Sequence, residues 1–206
     1  MRLLDISVVT QVGTPEWPGD TPFSCGWTAR IAEGSSVNLT TITASPHVGT
    51  HADAPLHVRD GAPAAEALPL AAFVGPALGL DGAGAPRDLG DELLARVPRG
   101  VERLLLKTGA SIASGRFPGD WPALAEATAA ALTSRGLRLL GVDAPSVDRR
   151  ERTTLAVHHA LFDGGAFVLE NLDLREAAEG EYELLAAPLR WAAVDAAPAR
   201  AVLRRE

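Results

Sequence analysis

The chain has 206 residues, of which 47% are hydrophobic and 22% are charged, a balance that is typical of globular proteins and excludes a disordered chain. Its length predicts a single domain that spans residues 1–206. The formal net charge is −7 and no basic cluster occurs, which argues against binding to DNA or RNA.

Secretion and membrane insertion are not expected either. Asp5 interrupts the N-terminal segment early, and no run of about 18 apolar residues occurs, so neither a signal peptide nor a membrane span is predicted. Cys25 is the only cysteine, which excludes an internal disulfide and a zinc site built from thiolates. We therefore expect a cytoplasmic protein.

Segments with strand and helix periodicity alternate along the chain, and no change in composition marks a linker. A proline- and glycine-rich loop around Trp17 is predicted at 13–22. Strands are predicted at 3–10, 37–44, 74–80, 101–107, 137–142, 166–172, 182–194 and 200–204. Helices are predicted at 88–95, 121–135 and 153–162, with Asp120 as the N-cap of the second. This mixture predicts an α/β fold with a mixed β-sheet core and flanking helices.

All five histidines lie in two short segments. Three of them share residues 47–57 with Asp53, and the other two are adjacent at 158 and 159. Histidine and aspartate offer the nitrogen and oxygen donors that zinc, manganese and iron accept. A straight strand would spread positions 47, 51, 53 and 57 over roughly 33 Å, too far for one ion. The chain must therefore bend, and Gly49 and Pro55 are the positions where bends cost least.

One such segment does not complete a catalytic metal site, so the second histidine pair should supply a further ligand. Glu170 lies within the apolar run 167–172, where an ionised carboxylate needs a partner. Two interpretations are open for Glu170: it shares the metal with His158 or His159, or it faces water from an edge strand. A single histidine is most often an ordinary hydrogen-bonded residue, and the clustering is what favours metal binding.

The pattern His47-x3-His51-x-Asp53-x3-His57 resembles the signature of the cyclase-like metal-dependent hydrolases, and among them that of the bacterial kynurenine formamidases. The resemblance extends over residues 4–204. Other segments that share it are 17–23 (WPGDTPF), 141–148 (GVDAPSVD), 158–160 (HHA) with Glu170 twelve residues after His158, and 182–186 (YELLA). One departure is Gly164, where the formamidase pattern has a histidine that is not a usual metal ligand.

The resemblance implies a cyclase-like fold with a divalent metal, zinc or alternatively manganese, and one or two ions per subunit. His47, His51 and Asp53 would hold one ion. Asp53, His158 and Glu170 would hold a second ion or complete the first, with Asp53 as the bridge.

Further roles follow from the same resemblance. His57 would be the general acid and base, and Trp17 would line the substrate pocket, unless it is only an anchor for its loop. His159 should pack or donate a hydrogen bond to a neighbour, because adjacent residues project in different directions. Cys25 is expected to be a small buried apolar residue.

The implied reaction is hydrolysis of N-formyl-L-kynurenine, a small aryl formamide, to L-kynurenine and formate in tryptophan degradation. A divalent ion lowers the pKa of bound water to about 7, so metal-bound hydroxide would attack the formyl carbonyl while His57 transfers the proton. No serine lies in a G-x-S-x-G motif, which argues against a serine hydrolase.

Two alternatives are open. One is a hydrolase of the same superfamily that acts on another cyclic or aryl amide or on a lactone. The other is a binding protein with a structural metal, whose ion would be fully coordinated by protein groups. A homodimer is expected, because homo-oligomers are common among such enzymes.

Overall fold

A mixed eight-stranded sheet forms the centre of the protein, as seen in a computed structural model that describes residues 1–205. The strands are β1 (Arg2–Asp5), β2 (Ser24–Ala29), β3 (Leu39–Thr43), β4 (His51–Asp53), β5 (Val74–Asp81), β6 (Asp88–Leu89), β7 (Arg103–Lys107), β8 (Ala123–Leu124), β9 (Leu139–Val142), β10 (Phe167–Glu170), β11 (Gly180–Pro188) and β12 (Ala196–Arg205). The helices are α1 (Leu70–Phe73), α2 (Asp91–Arg96), α3 (Glu126–Ser134) and α4 (Ala156–Asp163). The predicted α/β class with a mixed sheet is confirmed.

The strand order of this sheet is β1-β12-β11-β5-β7-β9-β10-β4, and β4 also pairs with β12. Seven of the strands therefore close into a ring, to which β1 is added on β12. Strands β5, β7, β9 and β10 run parallel to one another, and the remaining pairings are antiparallel. Strands from both ends of the chain share the eight-stranded sheet, which supports the single domain at 1–206, although that domain assignment stays a prediction.

Side chains alternate between two apolar clusters on the two sides of the ring, because the side-chain period of a strand is two residues. One cluster fills the inside of the ring and includes Ala52, Leu105, Leu139 and Leu169. The other lies outside and packs the alternate strand residues against α3 and α4. Its members include Leu104, Leu106, Leu140, Val142, Val168, Leu132 and Leu161.

The helix predicted at 121–135 begins only at Glu126, so this boundary was wrong. The preceding strand β8 pairs in parallel with β6, and the backbone N–H of Ala123 donates to the carbonyl of Arg87 at 3.0 Å. These bonds fix an extended conformation before the helix starts. Asp120 is consequently not the N-cap and instead forms an ion pair with Arg87 at 2.7 Å.

Several other predicted elements are shorter than their sequence patterns. The strand at 3–10 ends at Asp5, whose carboxylate accepts a hydrogen bond from the Ser7 N–H at 3.1 Å. The strand at 182–194 ends at Pro188, and the helix at 153–162 begins at Ala156. Helix α2 also starts late, because β6 occupies the first positions predicted as helix.

Strands β2 and β3 form a separate antiparallel hairpin on the surface, of which only β3 was predicted. Nearly every residue of both strands is exposed. The expectation that Cys25 is buried was wrong, because this residue lies on the exposed hairpin. None of the helices within residues 1–205 has the length and apolar character to cross a membrane.

Candidate metal centre

The short strand β4 places two of the predicted ligands on one face. His51 and Asp53 flank Ala52, which points into the ring, so their side chains point outward toward α4. In the antiparallel pairing of β4 with β10, His51 lies opposite Glu170. Directly opposed residues share a face of the sheet, and all three polar side chains are therefore buried together outside the ring.

The chain bends at both positions that the sequence predicts. Gly49 adopts φ +79°, and a Cβ there would lie 2.1 Å from Oγ1 of Thr10, so only glycine fits. Pro55 opens a 3₁₀ turn that ends at His57. As a result the His47 and His57 rings lie next to each other, with their centroids 4.4 Å apart and their planes tilted by 46°.

Helix α4 supplies the fourth predicted ligand. Nε2 of His158 lies 3.1 Å from Oδ2 of Asp53 and 3.5 Å from Oε1 of Glu170. The carboxylate of Asp148 accepts the backbone N–H groups of Val157 and His158, both at 3.0 Å. Asp148 thus caps the N-terminus of the helix and fixes the residue that faces the centre.

Three candidate ligand atoms form a nearly equilateral triangle. Nδ1 of His47 lies 3.1 Å from Nε2 of His51, and both nitrogens lie 3.2 Å from Oδ1 of Asp53. Atoms that bind one tetrahedral zinc ion at about 2.0–2.2 Å lie roughly 3.3 Å apart. Oδ1 of Asp53 is buried and has no hydrogen-bond partner within residues 1–205. The residues present therefore fit a divalent cation.

The imidazoles of His47, His51 and His158 are each oriented by a hydrogen bond on the nitrogen that faces away from the centre. The acceptors are oxygens that carry no proton, so the far nitrogen donates, and the near nitrogen faces the centre as the atom that would bind a metal. These contacts are His47 Nε2 to Asp195 Oδ2 at 2.9 Å, His51 Nδ1 to the Gly49 carbonyl at 2.9 Å, and His158 Nδ1 to Asp148 Oδ2 at 2.8 Å.

The buried carboxylate of Asp53 stabilises positive charge on the groups around it. Burial disfavours the imidazolium form, but the attraction of Asp53 outweighs it and raises the pKa of His47 to about 10 and the pKa of His51 to about 9. Burial would raise the pKa of Asp53, yet His51 and His47 hold it well below its ordinary value. A divalent cation would supply the charge that protons provide in its absence.

His57 occupies the open side of the centre. Its side chain is 29% exposed, compared with 1% for His51 and His158, so a small molecule can reach it. Nδ1 of His57 lies 3.0 Å from Oδ2 of Asp195, the same oxygen that holds His47. The sequence reasoning missed Asp195, because a single aspartate in an alanine-rich segment carries no spacing signal.

Strained backbone marks the segments that position these side chains. Within residues 1–205, three residues other than glycine adopt left-handed φ, a conformation that costs about 1–3 kcal/mol each. Each lies within three positions of a side chain at the centre. They are Leu155 (φ 47°) before His158, Asn171 (φ 54°) after Glu170, and Ala193 (φ 60°) before Asp195.

Trp17 is half-buried in an aromatic cluster. Its ring packs edge-to-face on Phe117 at 5.5 Å and on Trp121 at 6.1 Å, measured between centroids. The indole Nε1 of Trp121 donates to the backbone carbonyl of Asp148 at 2.9 Å. The cluster therefore lies against the segment whose carboxylate holds His158.

The loop that carries Trp17 is also tied to the first ligand segment. The N–H of Ser45 donates to the Thr21 carbonyl at 2.9 Å, and the Ser45 hydroxyl donates to Asp20 at 3.2 Å. That hydroxyl accepts the backbone N–H of His47 at 3.3 Å. The predicted substrate loop is thus anchored to both segments that border the centre.

Two other positions from the sequence analysis lie apart from this centre. His159 is half-buried on α4 and does not join the described groups of converging ligand atoms. Gly164 ends α4, and a Cβ there would lie 2.3 Å from Oγ1 of Thr133 on α3. Close packing of the two helices therefore leaves no room for a histidine at position 164.

Comparison with known proteins agrees with this geometry. The Cyclase family model matches residues 4–149. A kynurenine formamidase from Salinibacter ruber is 45% identical over 99% of this chain and 98% of that protein. A kynurenine formamidase from Bordetella petrii is 41% identical over 98% of each chain. The solved structure of a predicted metal-dependent hydrolase from Bacillus stearothermophilus is 28% identical, with a TM-score of 0.82 over 98% of this chain and 97% of that one. The chain therefore belongs to the Cyclase family and, within it, to the family of the bacterial kynurenine formamidases.

Proposed function

We propose that the protein is a metal-dependent formamidase that hydrolyses N-formyl-L-kynurenine to L-kynurenine and formate, a step of tryptophan degradation. The observation that carries this proposal is the triangle of His47, His51 and Asp53 ligand atoms beside the accessible ring of His57. Family membership supports the formamide as substrate, since the relatives named above are kynurenine formamidases.

The two oxygens of Asp53 suggest how the ligands divide. Oδ1 faces His47 and His51, and Oδ2 faces His158, which in turn lies next to Glu170. We propose that the first three residues hold one ion and that Asp53, His158 and Glu170 hold a second, with Asp53 between them. Nitrogen and oxygen donors without a thiolate favour zinc, with manganese as the alternative.

Proton transfer is assigned to His57 and its partner Asp195, which lie on the open side of the centre. When bound, the metal would supply Lewis-acid activation of water and of the formyl oxygen. His57 holds its Nδ1 proton on Asp195, so its Nε2 is free to accept a proton from the attacking water. The same nitrogen then donates that proton to the departing aniline nitrogen. The negative charge of Asp195 stabilises the imidazolium that forms between these two steps.

A substrate panel tests this proposal against its alternatives. The zinc-loaded protein would be assayed with N-formyl-L-kynurenine, formanilide, a cyclic amide and a lactone, and the release of formate or the opening of the ring would be followed. We expect kcat/KM to be highest for N-formyl-L-kynurenine. If the protein opens the cyclic amide or the lactone but leaves formylkynurenine intact, the proposed substrate is wrong, while membership of the Cyclase family still holds.

We also propose a homodimer that covers the hairpin at residues 24–43. Five large apolar side chains in this hairpin are more than half exposed: Trp27, Ile31, Val37, Leu39 and Ile42. Large exposed apolar patches of this kind commonly mark surfaces that bind another protein. An isolated two-stranded hairpin is only marginally stable in water, so a covering surface would stabilise it.

Light scattering coupled to size exclusion tests the homodimer. The wild-type protein should elute as a dimer, and Ile42→Asp should shift it toward the monomer. Val12→Asp, at an exposed position outside the hairpin, should leave the mass unchanged. A monomeric wild type would reject the homodimer. The cytoplasmic location stays a prediction.

A further inference from the structure

An arginine lies at the outer edge of the aromatic cluster. The Cζ atom of Arg150 is 5.6 Å from the ring centroid of Phe117, which is within the range of a cation–π contact. Phe117 in turn packs on Trp17. The side chain of Arg150 is exposed, so its guanidinium is open to solvent on the side away from the ring.

Arg150 differs from the arginines around it in having no carboxylate partner. Within the described chain, no Asp or Glu side chain lies at ion-pair distance from Arg150, whereas three neighbouring arginines are all paired. These pairs are Arg149 with Asp88, Arg152 with Asp88 at 2.8 Å, and Arg87 with Glu151 at 2.8 Å. The Phe117 contact orients the guanidinium, and its hydrogen-bond donors remain available for an anion.

The position of Arg150 in the chain places it next to the metal centre. It follows Asp148 by two residues, and two residues span at most about 7 Å. Asp148 holds His158 through its carboxylate and Trp121 through its backbone carbonyl. The short segment 148–150 therefore joins the residue that holds His158 to the arginine that packs on the aromatic cluster.

We propose that Arg150 binds the α-carboxylate of the substrate and so selects aryl formamides that carry an amino-acid side chain. This inference rests on the proposed formamidase function, because that substrate carries a carboxylate at the end of the side chain that is ortho to its formamide. A guanidinium matches a carboxylate with two parallel hydrogen bonds, which a lysine ammonium does not reproduce. Arg150 takes no part in the proton transfers and acts on specificity alone.

Two substrates that differ only in the carboxylate test the inference. N-formyl-L-kynurenine carries the group, and N-formylkynuramine lacks it. Arg150→Ala should raise KM for N-formyl-L-kynurenine about five- to tenfold with kcat within twofold, in the range of the net contribution of one solvent-exposed hydrogen bond. The same variant should leave KM for N-formylkynuramine unchanged. Arg152→Ala, whose guanidinium is paired with Asp88, is the matched control and should change neither value.

A binding measurement separates this inference from the formamidase proposal. Calorimetry with L-kynurenine and kynuramine, on zinc-loaded wild type and Arg150→Ala, requires no turnover. The wild type should bind L-kynurenine about five- to tenfold more tightly than kynuramine, and Arg150→Ala should lose that difference. Equal effects of Arg150→Ala on both substrates, or a wild type that does not distinguish the two ligands, would overturn the role of Arg150. Selective binding without hydrolysis would reject the formamidase proposal and keep the anion site.

Discussion

Asp53 and His158 are separated by 105 positions in the chain, yet Oδ2 of Asp53 lies 3.1 Å from Nε2 of His158. The other oxygen of Asp53 faces His47 and His51 from the opposite side. One carboxylate thus joins the candidate ligands of the β4 segment to the candidate ligand on α4. The site cannot keep its geometry if this carboxylate is lost.

Asp53→Asn should therefore remove most of the bound metal and nearly all activity. The amide keeps the size of the side chain but brings N–H donors among ligand atoms and carries no charge. Elemental analysis of the purified variant gives the metal content. Asp143→Asn, at another buried aspartate that instead accepts hydrogen bonds from Thr108 and Gly109, controls for the loss of a buried carboxylate and should keep the metal.

Asp148 should act on the metal through His158. Asp148→Asn weakens the hydrogen bond that orients the imidazole, and the loss of such a partner commonly lowers metal affinity about 10- to 100-fold. Titration with a competing chelator measures that affinity. A thermal melt of the metal-free variant measures any separate effect on the N-terminus of α4, which an asparagine oxygen can still cap. Unchanged metal affinity would mean that His158 is not a ligand.

His57→Ala distinguishes an acid/base group from a metal ligand. The variant should keep its metal and its fold while kcat falls by roughly 10²–10⁴, the range that a positioned proton-transfer group provides. His159→Ala is the control, because it removes a histidine that lies outside the centre, and it should leave kcat unchanged. If His57→Ala instead loses its metal, His57 belongs to the ligand set and the proton-transfer assignment is wrong.

Metal binding should release protons. Without an ion, the pKa values of about 10 for His47 and about 9 for His51 lie above neutral pH, so both rings are protonated near pH 7. An ion binds only the unprotonated nitrogens, so each ring must give up a proton and apparent affinity should rise with pH until about pH 10. Calorimetry in two buffers of different ionisation enthalpy counts the protons. A binding enthalpy that does not depend on the buffer would contradict this account.

Trp17→Ala tests the substrate pocket. Loss of roughly 1–2 kcal/mol of ring packing and burial should raise KM for N-formyl-L-kynurenine about tenfold while metal content stays normal. Trp191→Ala, at an exposed tryptophan outside the aromatic cluster, should have no effect. If KM does not change in the Trp17 variant, this residue only anchors its loop.

The sequence predicted the ligand cluster because its members share one short segment with bend-forming residues between them. Gly49 and Pro55 lie where geometry requires bends, and the structure bends there. Glu170 was predictable from its chemistry, since an ionised carboxylate in an apolar strand needs a partner. Local patterns of this kind are visible without knowledge of the fold.

Long-range pairing could not be predicted in the same way. Asp195 reaches His47 and His57 only because β12 pairs with β4, and neither strand carries a signal for that register. Strand β8 was missed because its residues have helical periodicity, whereas in the structure they pair in parallel with β6. The hairpin strand β2 was missed because an exposed strand lacks the alternation of apolar and polar residues that marks a half-buried one.

The most direct test of the central claim is to measure metal content and hydrolysis of N-formyl-L-kynurenine on the same samples during a zinc titration of metal-stripped protein. The account predicts that activity is absent without metal and rises with bound zinc up to two ions per chain. It also predicts that Asp53→Asn gains neither metal nor activity over the same range. Full activity in the metal-stripped protein, or full zinc occupancy in Asp53→Asn, would contradict it.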